Sequence, residues 1–120
     1  GDRTRISAAA LARFLGHADV AGRLPPLLKE VGVFDSDGRP LTGKATKVFA
    51  KTGTLNFVSS LAGYVQREGQ GDLVFAILSA DEDRRAASHN SQDEVPPGAR
   101  RWSDNARWLQ HRLLRDWISG

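Results

Sequence analysis

Cysteine does not occur in the 120 residues, which excludes disulfides and thiolate metal sites and leaves the redox compartment unmarked. Histidine is scarce: His17, His89 and His111 are scattered and make no metal-ligand constellation, so neither a metal nor a cofactor is expected. No apolar run approaches the ~20 residues that a transmembrane helix needs. The first residues lack the basic and apolar regions of a secretory signal. What is present is ordinary for one globular unit spanning 1–120, with 40% apolar and 26% charged residues. A net charge of +3 and a pI near 9.8 permit contact with nucleic acid. The arginines are spread between acids along the chain and do not gather into an aromatic-laced stripe, so no nucleic-acid partner is expected.

The chain is organised around Val48-Phe49-Ala50-Lys51-Thr52-Gly53-Thr54. Val48, Phe49 and Ala50 favour a buried strand, Lys51 adds a compact positive charge, and Thr52 and Thr54 alternate about Gly53 at period two. A glycine here leaves the backbone bare, so that a ligand can lie against the strand and take main-chain hydrogen bonds. A lysine that simply ends a strand and a Thr-Gly that opens a turn are the plainer alternative.

Around this stretch the pattern is mixed α and β. Ser7 caps a helix running to about Ala18, with Ala10, Leu11, Phe14, Leu15 and Ala18 on one face and His17 near its C-terminal end. Pro25-Pro26 then allows a bend and at most a short helix from Pro26 to Val31. Phe34 to Pro40 is turn chemistry, and Asp35-x-Asp37 lacks the remaining ligands of a calcium loop. Strands are expected at Lys47 to Thr52, Ser59 to Gln66 and Leu73 to Leu78. The last is apolar on both faces and so is expected to be buried on both sides. Residues 80–101 are polar, contain Pro96-Pro97-Gly98 and read as a mobile loop, with His89 solvated in it. A strongly amphipathic helix closes the chain, with Trp102, Ala106, Leu109, Leu113, Trp117 and Ile118 at three-four spacing and Ser103-Asp104-Asn105 as its N-cap. The expected fold is α+β: an antiparallel sheet of about three strands with an N-terminal and a long C-terminal helix packed on it. These two helices could cover one face, leaving the other without a partner unless a homo-oligomer or further chain supplies it.

Read as K-T-G-T-L-x-x-V-S-x-L-A-G-Y-V, residues 51–65 resemble the third box of the penicillin-binding serine acyl-transferases, and most closely the D-alanyl-D-alanine carboxypeptidase/endopeptidase family. The likeness is close over 48–66 and loose over 3–79. Leu28, Gly32, Asp37, Gly38 and Leu41 are similar to the stretch that leads to this box in the family. The resemblance implies a partial beta-lactamase/transpeptidase-like fold, D-Ala-D-Ala peptides of peptidoglycan and beta-lactams as ligands, and a periplasmic location. It implies that Lys51 attracts the peptide's free carboxylate and supports proton transfer, and that Thr52 and Thr54 hydrogen-bond the carboxylate. It further implies that Gly53 keeps the strand open and that the Thr54 N–H forms half of an oxyanion hole. Relatives carry a small residue where Phe57 stands.

The family's nucleophile comes from an S-x-x-K box, and none of the serines here is followed three places later by lysine. An upstream S-x-N box is absent too. Ser103-Asp104-Asn105 spells it, but downstream of K-T-G, where the cap reading is preferred. The chain is therefore expected to be the C-terminal part of a larger carboxypeptidase domain, inactive alone and completed by the remainder of its parent. Two other readings stay open: a related beta-lactamase-like serine hydrolase or esterase, and a non-enzymatic binding or interaction module.

Overall fold

The computed structural model describes residues 7–88 and 98–119. The elements run α1 (Ala8–Gly16), α2 (Ala18–Arg23), a 3₁₀ turn (Pro25–Leu27), β1 (Lys29–Val31), β2 (Thr46–Leu55), β3 (Val58–Arg67), β4 (Leu73–Ala80), α3 (Glu82–Ser88) and α4 (Ala99–Ser119). The class is α+β, with one antiparallel sheet of four strands in the order β1-β2-β3-β4. The strand beyond the three expected is β1, which occupies part of the span read as a short helix. The two prolines instead hold only the 3₁₀ turn, and Lys29–Val31 pairs with Val48–Ala50. Three residues carry too little periodicity to be read as a strand without their partner.

Ser7 caps α1 as expected, its Oγ accepting from the Ala10 N–H at 3.0 Å. His17 ends that helix through its own backbone N–H, donated to the Phe14 carbonyl, and α2 follows at once. The turn at Asp35 is closed by its own side chain, Oδ1 accepting from the N–H groups of Asp37 and Arg39 at 2.9 Å each. Gly38 at φ +80° completes it.

The register settles the two faces of the sheet. Val48, Ala50, Leu61, Val65, Phe75 and Ile77 lie on one face and form the core with Leu114 of α4. Phe49, Tyr64 and Val74 lie on the other, where the Tyr64 hydroxyl donates to the Leu15 carbonyl at 2.8 Å and so ties the end of α1 to the sheet. Burial pushes the Tyr64 phenol above its ordinary pKa of 10.0. The two helices thus cover opposite faces, not one, because each strand presents apolar side chains to both sides. Cover on the α1 side is partial: Leu55 is 61% and Leu78 40% exposed. Correspondingly, β4 is an edge strand whose α4 face is buried and whose other face is only half covered, not a strand enclosed on both sides.

Within the span read as a loop, residues 82–88 are helical and α4 begins at Ala99. His89, Pro96 and Pro97 lie outside the described residues. Ser103 is correspondingly not a cap. The first turn of α4 closes from the Trp102 N–H to the Gly98 carbonyl at 3.0 Å, with Gly98 at φ +80°. Ser103 sits in the second turn, facing the sheet. The buried stripe of α4 is Ala99, Ser103, Ala106, Gln110 and Leu114, which leaves Leu109 and Trp117 more than 40% exposed. Polar residues in that stripe hid its true centre from a reading of apolar spacing.

Candidate active site

The K-T-G stretch lies in β2 beyond the end of β1. Pairing with β1 stops at Ala50, whereas pairing with β3 continues through Leu55. From Lys51 onwards one side of the strand therefore has no partner strand among the described residues. A two-residue turn closes the hairpin, so the flanking pair Leu55 and Val58 exchanges hydrogen bonds, and by alternation Gly53 and Lys51 point their main-chain groups at β3. Thr52 and Thr54 accordingly turn their N–H and C=O groups to the open edge. Lys51 bends to the same edge, its Nζ donating to the Thr52 carbonyl at 3.1 Å.

Side chains divide differently. Lys51 and Gly53 share the α1 face with Ser60, while Thr52 and Thr54 share the α4 face with Leu61 and Ser59. All four residues from Lys51 to Thr54 are exposed. The lysine and the two threonine hydroxyls thus do not converge on one face; what they have in common is the open strand edge. Ser60, not singled out by sequence reading, approaches Gly53: its Oγ lies 3.4 Å from the Gly53 carbonyl. A Cβ at Gly53 would meet that Oγ at 2.6 Å. Glycine at this position makes room for a serine across the hairpin as well as baring the strand. The alternation of β3 about Leu61 was a signal that could have placed Ser60 beside it.

Beneath the hairpin, on the α4 face, Gln110 Nε2 donates to Ser59 Oγ at 3.0 Å, with both side chains buried. Ser59 is the cross-strand partner of Thr54. A buried polar pair of this kind holds α4 in one register on the sheet, since sliding by a turn would orphan both groups.

The turn itself is held by Phe57, which is 2% exposed and stands at φ +59°, a conformation that costs a residue with a Cβ roughly 1–2 kcal/mol. Its ring meets Trp102 edge-on at 6.2 Å, Arg84 lies over it at 5.8 Å, and its carbonyl accepts from the Asp81 N–H at 2.9 Å. The bulky residue therefore serves as a plug that binds the hairpin end to α3 and α4, and the hairpin keeps its two-residue turn. Phe57→Ala loses the ring and keeps the strained backbone, whereas Phe57→Gly loses the ring and relieves the strain. Both variants are expected to be destabilised in urea unfolding, with Phe57→Gly more stable than Phe57→Ala by about 1 kcal/mol.

Among the described residues no group of three His, Asp or Glu side chains could hold a metal ion. A shallow apolar depression lined by Asp19, Val20, Arg23, Leu24 and Leu27 includes none of the strand residues.

The model of the D-Ala-D-Ala carboxypeptidase 3 (S13) family matches residues 5–98. This chain belongs to that family. The matched span holds α1 to α3 and all four strands, including the K-T-G edge, and stops short of α4. No curated protein and no solved structure matches the chain. Membership brings a D-Ala-D-Ala carboxypeptidase-like function and the peptides of the cell wall as its substrate class. No described helix is long and apolar enough to cross a membrane.

Proposed function

We propose that this chain supplies the strand-edge half of a serine-type D-Ala-D-Ala carboxypeptidase/endopeptidase site that acts on periplasmic peptidoglycan peptides through an acyl-enzyme. The observation that carries the reading is the short reach of β1, whose pairing with β2 goes no further than Ala50: among the described residues Lys51 to Leu55 keep a free main-chain edge beside an exposed ammonium group. An extended peptide can add to such an edge as a further strand, and its terminal carboxylate can pair with the lysine.

On this reading Lys51 holds the carboxylate of the terminal D-Ala, and the outward N–H of Thr54 faces the carbonyl oxygen of the residue before it. A serine from the parent's S-x-x-K segment attacks that carbonyl carbon through Oγ. The peptide C–N bond breaks, the terminal D-Ala leaves with a proton on its nitrogen, and water then releases the acyl group from the serine. A preorganised donor at the developing oxyanion is worth roughly 3 kcal/mol. Beta-lactams acylate the same serine and therefore report on the same edge.

The test is fluorescent-penicillin labelling of a longer form of the protein that includes the upstream segment, with the 120-residue chain as a control. Hydrogen bonds to charged groups contribute about 1.5–3 kcal/mol, so Lys51→Ala should slow labelling about ten- to a hundredfold. The 120-residue chain should not label. Absence of labelling in the longer protein, or labelling at the same rate without Lys51, would remove this reading and favour a non-enzymatic module.

A further inference from the structure

We infer that the outward face of α4 is a docking surface for an anionic phospholipid membrane. The inference is independent of the K-T-G reading, since α4 lies outside the family match at residues 5–98. Opposite the buried stripe, Arg101, Asn105, Trp108 and Arg112 follow at four, three and four residues, which places them on one side of the helix. Trp108 is 60% exposed and its neighbour Leu109 43%, a large apolar area to leave in water. The Arg112 guanidinium lies over the Trp108 ring at 5.3 Å. An indole with an arginine on its face suits the boundary between headgroups and acyl chains, where the ring enters the apolar layer and the guanidinium stays with phosphate.

Charge points to an anionic surface. The helix carries five arginines, at 100, 101, 107, 112 and 115, against Asp104 and Asp116. Asp104 is engaged by Arg107 at 2.6 Å and so does not neutralise the centre of the face, while Asp116 lies at its flank. With 21 residues, α4 is about 30 Å long, and because it lies along the sheet its outer side can rest flat on a bilayer. The same packing sets an orientation: Leu114 of α4 covers the Val48 and Ala50 face, and Lys51 is on the opposite one. A membrane bound through Trp108 leaves the Lys51 face turned away from the lipid.

The test is co-sedimentation of the 120-residue chain with vesicles of phosphatidylcholine alone and of an equimolar phosphatidylcholine–phosphatidylglycerol mixture, at low and high salt. The chain should bind the mixed vesicles, weakly or not at all the neutral ones, and lose binding as salt rises. Reversing both arginines in R101E/R112E should weaken binding by about tenfold or more, and W108A should weaken it too. All three positions are exposed, and circular dichroism checks that the variants stay folded. Failure to bind mixed vesicles, equal binding to both compositions, or unchanged binding by the variants would overturn the inference. So would retention on heparin, lost in R101E/R112E, without vesicle binding, which would assign the face to a soluble polyanion.

Discussion

Gly63→Ala is expected to bring the protein to the edge of unfolding. Gly63 pairs with Ala50 in the centre of the sheet, and a Cβ there would lie 2.0 Å from the Phe49 carbonyl oxygen and 2.7 Å from the Ala50 Cα. Both obstacles are backbone. No rotamer change relieves them, so β2 and β3 must move apart at the middle of their ladder, with loss of hydrogen bonds on either side. Overpacking that a side chain can absorb costs about 1–3 kcal/mol. A clash with the main chain belongs in the rarer class at about 4 kcal/mol or more. Against a total of about 5–15 kcal/mol for a domain this is a large share. Urea unfolding followed by circular dichroism would show a midpoint shifted far down or no native baseline. Gly71→Ala is the matched control, because nothing lies within 4 Å of its Cβ position, and its midpoint should scarcely change. Equal midpoints for Gly63→Ala and wild type would mean that the two strands are not packed as closely as described.

Leu114→Ala should produce the next largest loss. Leu114 has no exposed surface and is the one buried residue through which α4 joins the core of Val33, Val48, Ala50, Leu61, Val65, Phe75 and Ile77. Truncation removes the transfer free energy of the deleted carbons. It also leaves a cavity that a helix fixed at Gln110 and by the Phe75–Trp117 ring contact cannot close by settling. A cost of about 3–5 kcal/mol follows. Leu114→Met, which preserves volume, should cost less than about 1.5 kcal/mol. Leu109→Ala, on the exposed flank of the same helix, should cost far less, about 1 kcal/mol, since Leu109 stays 43% exposed and its loss opens no enclosed cavity. A Leu114→Ala midpoint no lower than that of Leu109→Ala would place the core elsewhere.

These two residues mark different degrees of legibility in the sequence. Gly63 belongs to the L-A-G-Y run that carried the family resemblance, and the structure supplies a physical reason for three of its four members. Leu61 enters the core, Gly63 admits the neighbouring backbone, and the Tyr64 hydroxyl holds α1. Leu114, by contrast, was absent from the apolar stripe read on the last helix. The stripe that is buried contains Ser103 and Gln110, and Gln110 owes its place to Ser59, 51 residues earlier in the chain. A period counted on apolar residues alone turns the helix towards Leu109 and misses a face in which two of five buried residues are polar and Gln110 is satisfied by a distant strand.

The candidate site was legible in the same uneven way. Lys51 and Thr52 fall within the strand expected at Lys47 to Thr52, and β2 carries on through Gly53 and Thr54 to Leu55. Their exposure depends instead on where β1 stops, and no property of residues 51–54 records that. Phe57 is the reverse case. The sequence shows only a bulky residue where relatives carry a small one, and it is the structure that shows Trp102 and Arg84 burying its ring and holding the strained backbone in place.

By itself, the sequence determined the α+β class, the Ser7 cap, the turn at Asp35, the three long strands and the K-T-G likeness, because each rests on residues close together in the chain. Alternation, capping and turn chemistry act over a few residues and need no distant partner. Only the tertiary structure decided that α1 and α4 cover opposite faces, that β4 is an edge and that β1 exists and pairs with β2 no further than Ala50. It alone placed Ser103 inside a helix and Trp108 outside. Those are questions of which surface meets which, and periodicity states that a face is apolar without stating what will cover it.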